Sequence, residues 1–231
     1  MDSAEYSYRL YKGHPIVRLG GQAYLLATGM SRSVGESPIY MGRRDIDPRP
    51  SHLGVTVAGL RRRLGIEVAG IIGTDLMTPY HVAVCPDDRL VRFSEEPLEG
   101  DETVDLEMVD GAPVVQVRIA GEEKPMLFDT AAPLSLLRES EFRGSERQGR
   151  ERAYHPLVGS FSTDRYTLEF GIGGQQRLFQ AGVLPDNLEN QLRQNGIHGV
   201  LGIDLLEHFG LHLYLQDQVM KLGRRGGASK L

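Results

Sequence analysis

Short apolar runs separated by glycine, proline and polar residues dominate the chain, and this pattern predicts a mostly β protein. Helical periodicity appears in two places only, at about 51–64 and 187–194, which predicts one short helix in each half of the chain. Residues 31–50 are rich in Ser, Gly, Pro and charge and are predicted to form a loop. The predicted strands are 15–19, 23–26, 81–85, 90–93, 113–119, 126–128, 166–170, 177–183, 211–215 and 219–222.

The two halves of the chain repeat the same order of elements. An apolar strand leads into Ala27-Thr28-Gly29 in the first half and into Asp129-Thr130-Ala131 in the second. Further along, 70–76 (GIIGTDL) matches 199–205 (GVLGIDL), and each is followed by a strand, an acidic turn and a strand. Two copies at the same place relative to a Thr-containing turn are hard to obtain by chance, so we infer an internal duplication.

Composition and charge narrow the function classes. The chain has 231 residues, 40% of them hydrophobic, and a formal net charge of −5, so no basic surplus suggests a nucleic-acid partner. No apolar run approaches a membrane span, and the first residues lack the pattern of a signal peptide. A single cysteine, Cys85, excludes an internal disulfide and favours a reducing compartment. These features predict a cytoplasmic protein without a membrane partner.

Several other features favour structural roles. The run 61–63 (RRR) is interpreted as a solvated helix face, and Cys85 as a half-buried strand residue. The segment 171–174 (GIGG) lacks the Lys-Ser/Thr and the helix of a phosphate-binding loop, so a hairpin turn is predicted. Ser135 and Ser160 have no nucleophile-elbow context, which argues against serine hydrolysis.

The histidines show no spacing typical of a zinc site. Two of them are four positions apart, but they fall in and beside a predicted strand, where that spacing does not suit two ligands. We therefore predict neither a metal nor a cofactor. The histidines are His14, His52, His81, His155, His198, His208 and His212.

The paired Thr turns and glycine segments resemble those of the retropepsin-like aspartic peptidases, in a single-chain form with two halves like a compact pepsin. The resemblance covers roughly residues 14–222. It implies an acid-protease fold with two pseudo-twofold-related β lobes, 1–98 and 99–222, and one short helix per lobe. The Gly-, Arg- and Lys-rich composition of 223–231 separately predicts a flexible tail. Because one chain supplies both half-sites, the resemblance also implies a monomer at the active site.

In that family each lobe supplies one Asp, and the two acids meet at the floor of a peptide-binding cleft. Two close carboxylates share one proton and activate water without a covalent intermediate. The resemblance assigns Asp129 as one catalytic acid, places Ala27 where the second acid belongs, and implies a peptide or protein substrate.

The same resemblance gives roles to the residues around the acids. Thr28 and Thr130 support the turns by hydrogen bonding to the opposing loop. Gly29 permits close backbone approach, and Ala131 at the matching position is a mild departure. Gly73 and Gly202 lie behind the turns, where a side chain would crowd them.

Ala27 removes the second carboxylate, so the chain is expected to be an inactive form of an aspartic endopeptidase. The otherwise intact turn favours a single Asp-to-Ala substitution that traps an inactive form. The alternative is a natural pseudopeptidase that acts as a peptide-binding or interaction module. On the first explanation, Ala27→Asp alone should create endopeptidase activity.

Family members close a β-hairpin flap over the substrate. The second half carries additional residues between its Thr turn and its glycine segment, and we predict a flap at about 142–162. Gly144, Gly149 and Gly159 would be its flexible points, and Tyr154 would rest over the cleft. A disordered surface loop is the alternative, because 143–152 is densely charged.

Overall fold

The computed structural model describes residues 3–42, 44–98, 100 and 102–224. In this part of the chain the protein is mostly β, which confirms the predicted fold class. The first-half strands are β1 (Ser3–Tyr11), β2 (His14–Leu19), β3 (Gln22–Leu26), β4 (Val34–Gly35), β5 (Ile39–Met41), β6 (Arg44–Ile46), β7 (Ser51–His52), β8 (Val55–Thr56), β9 (Gly70–Ile72), β10 (His81–Cys85) and β11 (Leu90–Ser94). The second-half strands are β12 (Glu102–Val109), β13 (Ala112–Ile119), β14 (Glu122–Phe128), β15 (Leu136–Leu137), β16 (Arg147–His155), β17 (Gly159–Ile172), β18 (Gln175–Val183), β19 (Gly199–Leu201), β20 (Phe209–Tyr214) and β21 (Val219–Arg224).

Each half contains one helix of at least two turns, as predicted. These helices are α1 (Val57–Leu64) and α3 (Asp186–Gln194), and a single-turn helix, α2 (Thr74–Met77), follows the first glycine segment. Short 3-10 segments at Glu139–Phe142 and Ile203–Glu207 complete the helical elements of the described residues. No helix within these ranges is long and apolar enough to cross a bilayer.

The inner strands of the two halves pair in the same way. In the first half β3 runs parallel to β9, with Leu25 opposite Ile71, and β4 runs antiparallel to β9. In the second half β14 runs parallel to β19, with Leu127 opposite Val200, and β15 runs antiparallel to β19. The inferred duplication is therefore present in the strand pairing as well as in the sequence.

A six-stranded antiparallel sheet joins the halves, in the order β1, β11, β10, β20, β21 and β12. Its middle pair is β10 and β20, with Val82 opposite Leu213. Three strands come from each half, so an approximate twofold axis passes between β10 and β20. The predicted lobe boundary at residues 98 and 99 stays a prediction.

The largest buried apolar cluster spans this shared sheet and both halves, and it includes Phe93, Phe128 and Phe170. A second cluster joins the apolar face of α1 to the Thr turns and contains Ala27 and Ala131. The packing of the core therefore holds the two turns between the lobes.

Helix α1 begins later than the periodicity predicts. The prediction was wrong for 51–56, where Leu53 (φ 50) and Gly54 (φ 77) form the turn of the hairpin β7–β8. Thr56 caps the start of the helix, where its side chain accepts a hydrogen bond from the Gly59 amide, and Gly65 (φ 76) caps its end.

Other local predictions have mixed outcomes. The 171–174 segment contains the predicted hairpin turn, with Gly173 and Gly174 at positive φ between β17 and β18. Strand β1 was not predicted, and the 31–50 loop contains short strands. Residues 223 and 224 of the predicted tail continue β21, whereas 225–231 lie outside the described residues.

Candidate functional site

The structure brings the two Thr turns into direct contact. The Thr28 amide donates to Thr130 Oγ1 at 3.1 Å, and the Thr130 amide donates to Thr28 Oγ1 at 2.9 Å. Each hydroxyl then donates across the axis, Thr28 to Phe128 O at 2.7 Å and Thr130 to Leu26 O at 2.9 Å. All four bonds are buried, so this lattice fixes both turns in a medium where losing a partner is costly.

The same symmetry extends to the backbone around the lattice. The Ala27 amide donates to Ile72 O and the Asp129 amide to Leu201 O, both at 3.0 Å. The Met30 amide donates to Ala27 O at 3.2 Å, and the matching bond to Asp129 O is 3.0 Å. The equivalent bonds of the two half-sites thus agree to within about 0.2 Å, and positions 27 and 129 occupy equivalent places.

Gly73 and Gly202 lie directly behind the turns. A Cβ atom at Gly73 would lie 2.6 Å from Met30 O, and one at Gly202 would lie 2.7 Å from Ala132 O. Both distances are well inside van der Waals contact, so only glycine fits without a backbone shift at either place.

A Ser–Asp pair beside each glycine was missed by the sequence analysis. Ser33 Oγ accepts from the Gly73 amide at 2.9 Å and donates to Asp75 at 2.6 Å. In the second half, Ser135 Oγ accepts from the Gly202 amide at 3.0 Å and donates to Asp204 at 2.8 Å. The repeated Gly-x-Asp-Leu of 73–76 and 202–205 was the available signal. Ser135 therefore has a structural role.

Asp129 is buried and surrounded by hydrogen-bond donors. Its Oδ1 accepts from the amides of Ala131 at 2.8 Å and Gly29 at 3.1 Å. Its Oδ2 lies 3.0 Å from His155 Nε2. Burial alone would raise the pKa of Asp129, but the His155 hydrogen bond and charge, with the two amides, hold that pKa below its ordinary value. The site therefore stabilises the carboxylate form.

The place opposite Asp129 is apolar. Ala27 and Ala131 are fully buried and belong to one apolar cluster. Beside them His14 is also buried, and its Nδ1 lies 2.8 Å from Ala131 O. Burial lowers the pKa of His14 to about 4, so this imidazole is neutral near pH 7. It can therefore donate its Nδ1 proton to the Ala131 carbonyl.

The segment 142–162 forms ordered structure, and most of it is the hairpin β16–β17. Its tip, 155–159, crosses from the second half to the first, where Arg63 Nη1 donates to Pro156 O at 3.1 Å. Tyr154 is buried in the cluster of Ala27 and contacts the ring of His14 edge-on at 5.2 Å. The hairpin therefore lies over the Thr turns and closes them from solvent.

The predicted glycines take distinct positions in this segment. Gly144 (φ 82) lies before β16, Gly149 (φ 139) lies at a register shift in β16, and Gly159 (φ 90) begins β17 at the tip. The alternative of a disordered surface loop does not describe this segment. Its action as a substrate flap stays a prediction.

His155 and His14 were the main omissions of the sequence analysis. Neither has a sequence spacing typical of a site, yet His155 provides the side-chain partner of Asp129 and His14 contacts the neighbouring turn. No local pattern marks either residue. Their placement depends on the length of the β16–β17 hairpin and on how β2 lies beside the second turn.

The duplicated lobes, the shared six-stranded sheet and the crossed Thr turns define the acid-protease fold of pepsins and retropepsins. The chain is similar in structure to the aspartic proteinase from Irpex lacteus, with a TM-score of 0.52, 13% identity and coverage of 98% of both chains. At this identity the likeness establishes the fold and not the activity.

Two further solved structures show lower similarity. A retropepsin-like aspartic protease from Rickettsia conorii has a TM-score of 0.38 and 18% identity, over 54% of this chain and 91% of that one. Basic 7S globulin from soybean has a TM-score of 0.48 and 9% identity, over 96% and 94% of the two chains. No family model matches the chain. No curated protein sequence matches it significantly.

Proposed function

We propose that the protein binds an extended peptide segment in the cleft between its lobes and, with Ala27 present, does not hydrolyse it by the aspartic dyad mechanism. The observation that carries this proposal is the environment of Asp129. Position 27, which matches Asp129 across the axis, is a buried alanine, and the side-chain partner of Asp129 is the imidazole of His155.

The dyad mechanism needs one proton shared by two acids, so that one activates water while the other polarises the scissile carbonyl. Asp129 accepts from three donors and has no carboxyl partner within hydrogen-bonding distance among the described residues. Its lowered pKa leaves it ionised at neutral pH. An isolated carboxylate of this kind supplies neither the shared proton nor the acid.

Access to the carboxylate supports the same conclusion. Asp129 is only 3% exposed, and the His155 imidazole lies within hydrogen-bonding distance of its Oδ2. Substrate or water reaches the acid only when the tip of the hairpin moves away. Binding is therefore expected to be coupled to opening of β16–β17.

Peptide binding is supported by the free edge of the hairpin. Among the described strands the residue-by-residue pairing of β16 is with β17 alone, so the other edge of β16 keeps backbone groups available. Extended peptides bind such edges by adding a strand, with main-chain hydrogen bonds giving affinity. A partner segment is thus expected to be extended, and to lie along β16 when the tip is raised.

Aspartic endopeptidase activity is the second candidate, because the Thr28–Thr130 lattice is complete in both half-sites. That lattice has the geometry that two catalytic acids would require. Position 27 has no carboxylate, so this candidate needs at least an acid there.

A peptide library separates the candidates. The protein is immobilised and mixed with the library, retained peptides are identified by mass spectrometry, and the supernatant is searched for new termini from pH 3 to pH 8. We expect retained peptides and no cleavage. Asp129→Asn is the matched control, because cleavage that it abolishes would establish an aspartic peptidase. Retention of no peptide, even by a His155→Ala variant, would contradict the binding proposal.

A further inference from the structure

Asp129 requires glycine at position 29. A Cβ atom built on Gly29 would lie 2.5 Å from both Cγ and Oδ2 of Asp129. Non-bonded carbon atoms pack at about 3.5 to 4.0 Å, so a methyl group there and this carboxylate cannot share the space. Gly29 has no positive φ, so its backbone suits other residues and space is the reason for glycine.

Because the two half-sites are related by the approximate twofold axis, the same steric exclusion is expected in the other half-site. It relates Asp129 to Ala27 and Gly29 to Ala131, and hydrogen bonds such as Thr28 N to Thr130 Oγ1 (3.1 Å) and Thr130 N to Thr28 Oγ1 (2.9 Å) agree closely across it. The Ala131 methyl therefore lies where a carboxylate at position 27 would be. Gly29 therefore lies opposite Asp129 in one half-site, and Ala131 lies opposite Ala27 in the other.

We propose that Ala27 and Ala131 form a matched pair, in which the Ala131 methyl fills the space of a second acid, so that the site is built for one carboxylate. This proposal concerns packing and stands independently of peptide binding. It also revises the sequence-based expectation for Ala27→Asp. A single Asp-to-Ala change in an active parent would have left glycine at position 131, so a second carboxylate requires two changes, Ala27→Asp and Ala131→Gly.

A double-mutant cycle tests the pair by urea unfolding at pH 5. In the Ala27 background, Ala131→Gly is expected to lower the urea midpoint, because it removes a buried methyl and adds backbone freedom. In the Ala27→Asp background, the same change is expected to raise the midpoint, because it removes the overlap. This reversal of sign is the predicted result. Equal lowering of the midpoint in both backgrounds would overturn the proposal.

The reciprocal cycle covers the case in which Ala27→Asp does not fold. Gly29→Ala is expected to lower the urea midpoint strongly in the protein with Asp129, since its methyl would overlap the carboxylate. In an Asp129→Ala background it should have little effect, because the pair then repeats the alanines of the other half-site. If Gly29→Ala lowers the urea midpoint equally in both backgrounds, the steric exclusion between position 29 and the Asp129 carboxylate is contradicted.

Discussion

The contact between His155 and Asp129 gives the most informative single perturbation, His155→Ala. The Nε2–Oδ2 distance is 3.0 Å, and the two side chains are 1% and 4% exposed. The contact exists only while the tip of β16–β17 covers the turns. Its removal should therefore destabilise the closed hairpin and leave the open hairpin unaffected.

The size of the effect follows from the burial of the pair. A hydrogen bond to a charged group contributes about 1.5 to 3 kcal/mol, and an unpaired buried acceptor adds a desolvation cost. A loss of about 2 kcal/mol from the closed state corresponds to roughly 30-fold more open hairpin, at about 1.4 kcal/mol per tenfold. Affinity for a peptide that needs the open hairpin should rise, up to about the same factor when the closed form dominates.

Native-state hydrogen exchange measures the opening directly. The amides of β16 and β17 near the tip, at 151–154 and 160–163, should lose about 30-fold of protection in His155→Ala. Protection in the central sheet should change less, because buried core strands are expected to open mainly on global unfolding. Ser160→Ala is the matched control, since Ser160 is exposed and pairs with Tyr154 at the same tip.

Two results would contradict a closed hairpin held by His155. One is unchanged protection at the tip in His155→Ala, and the other is an equal effect in Ser160→Ala. A double-mutant cycle with Asp129→Asn adds a further check, because the two changes should be non-additive if the residues interact.

Three further substitutions test the rest of the site. Thr130→Val removes a hydroxyl that both accepts from Thr28 N and donates to Leu26 O, so the free energy of unfolding measured in urea should fall by about 3 kcal/mol. The control Thr103→Val changes an exposed residue and should have little effect. A fall of less than about 1 kcal/mol for Thr130→Val would contradict the role of the lattice. Gly202→Ala places a methyl 2.7 Å from Ala132 O and should lower the melting temperature, whereas Gly210→Ala meets nothing within 4 Å and should be mild; equal shifts would argue against the close approach. His14→Asn should alter the pH dependence of stability. The pKa of His14 is about 4 in the folded protein and about 6.5 in the unfolded chain, so the unfolded chain binds the proton first as the pH falls. The wild type should therefore lose up to about 3 kcal/mol of unfolding free energy between pH 6.5 and pH 4. The same pH dependence in wild type and His14→Asn would contradict this assignment.

The duplicated half-sites could be predicted because their requirements are local and occur twice. A Thr turn after an apolar strand, and a glycine where two backbones meet, leave a sequence pattern that Thr28, Thr130, Gly73 and Gly202 all show. The structure places these four residues together at the axis. Each pattern is weak alone, but its occurrence in both halves made the half-sites predictable.

The partner of Asp129 could not be predicted in the same way. His155 reaches the acid through the length and twist of a long hairpin, within a charged stretch that shows no apolar pattern. The incorrect start of α1 has a different cause. Leu53 adopts positive φ beside Gly54, and periodicity carries no information on that backbone conformation.

The pairing of Ala131 with Ala27 also needed coordinates. From sequence, Ala131 differs from glycine by one methyl, so the change is predicted to be mild. The structure agrees as far as the backbone is concerned, because Ala131 does not have a positive φ. The consequence of the change becomes visible only at the matching position, where a methyl on Gly29 would overlap the Asp129 carboxylate. The effect of a methyl group at this axis depends on the residue facing it.

The most direct test of the account is the titration of the Asp129 carboxyl, followed by its 13Cγ chemical shift from pH 2 to pH 8. Asp129→Asn identifies the resonance, and His155→Ala reports the influence of the imidazole. A single carboxylate held by His155 and two amides should show one transition below the ordinary value of 3.8, and this transition should move upward in His155→Ala. A transition raised above 3.8 in the unmodified protein, as for an acid that shares its proton with a second carboxyl group, would contradict the single-acid site.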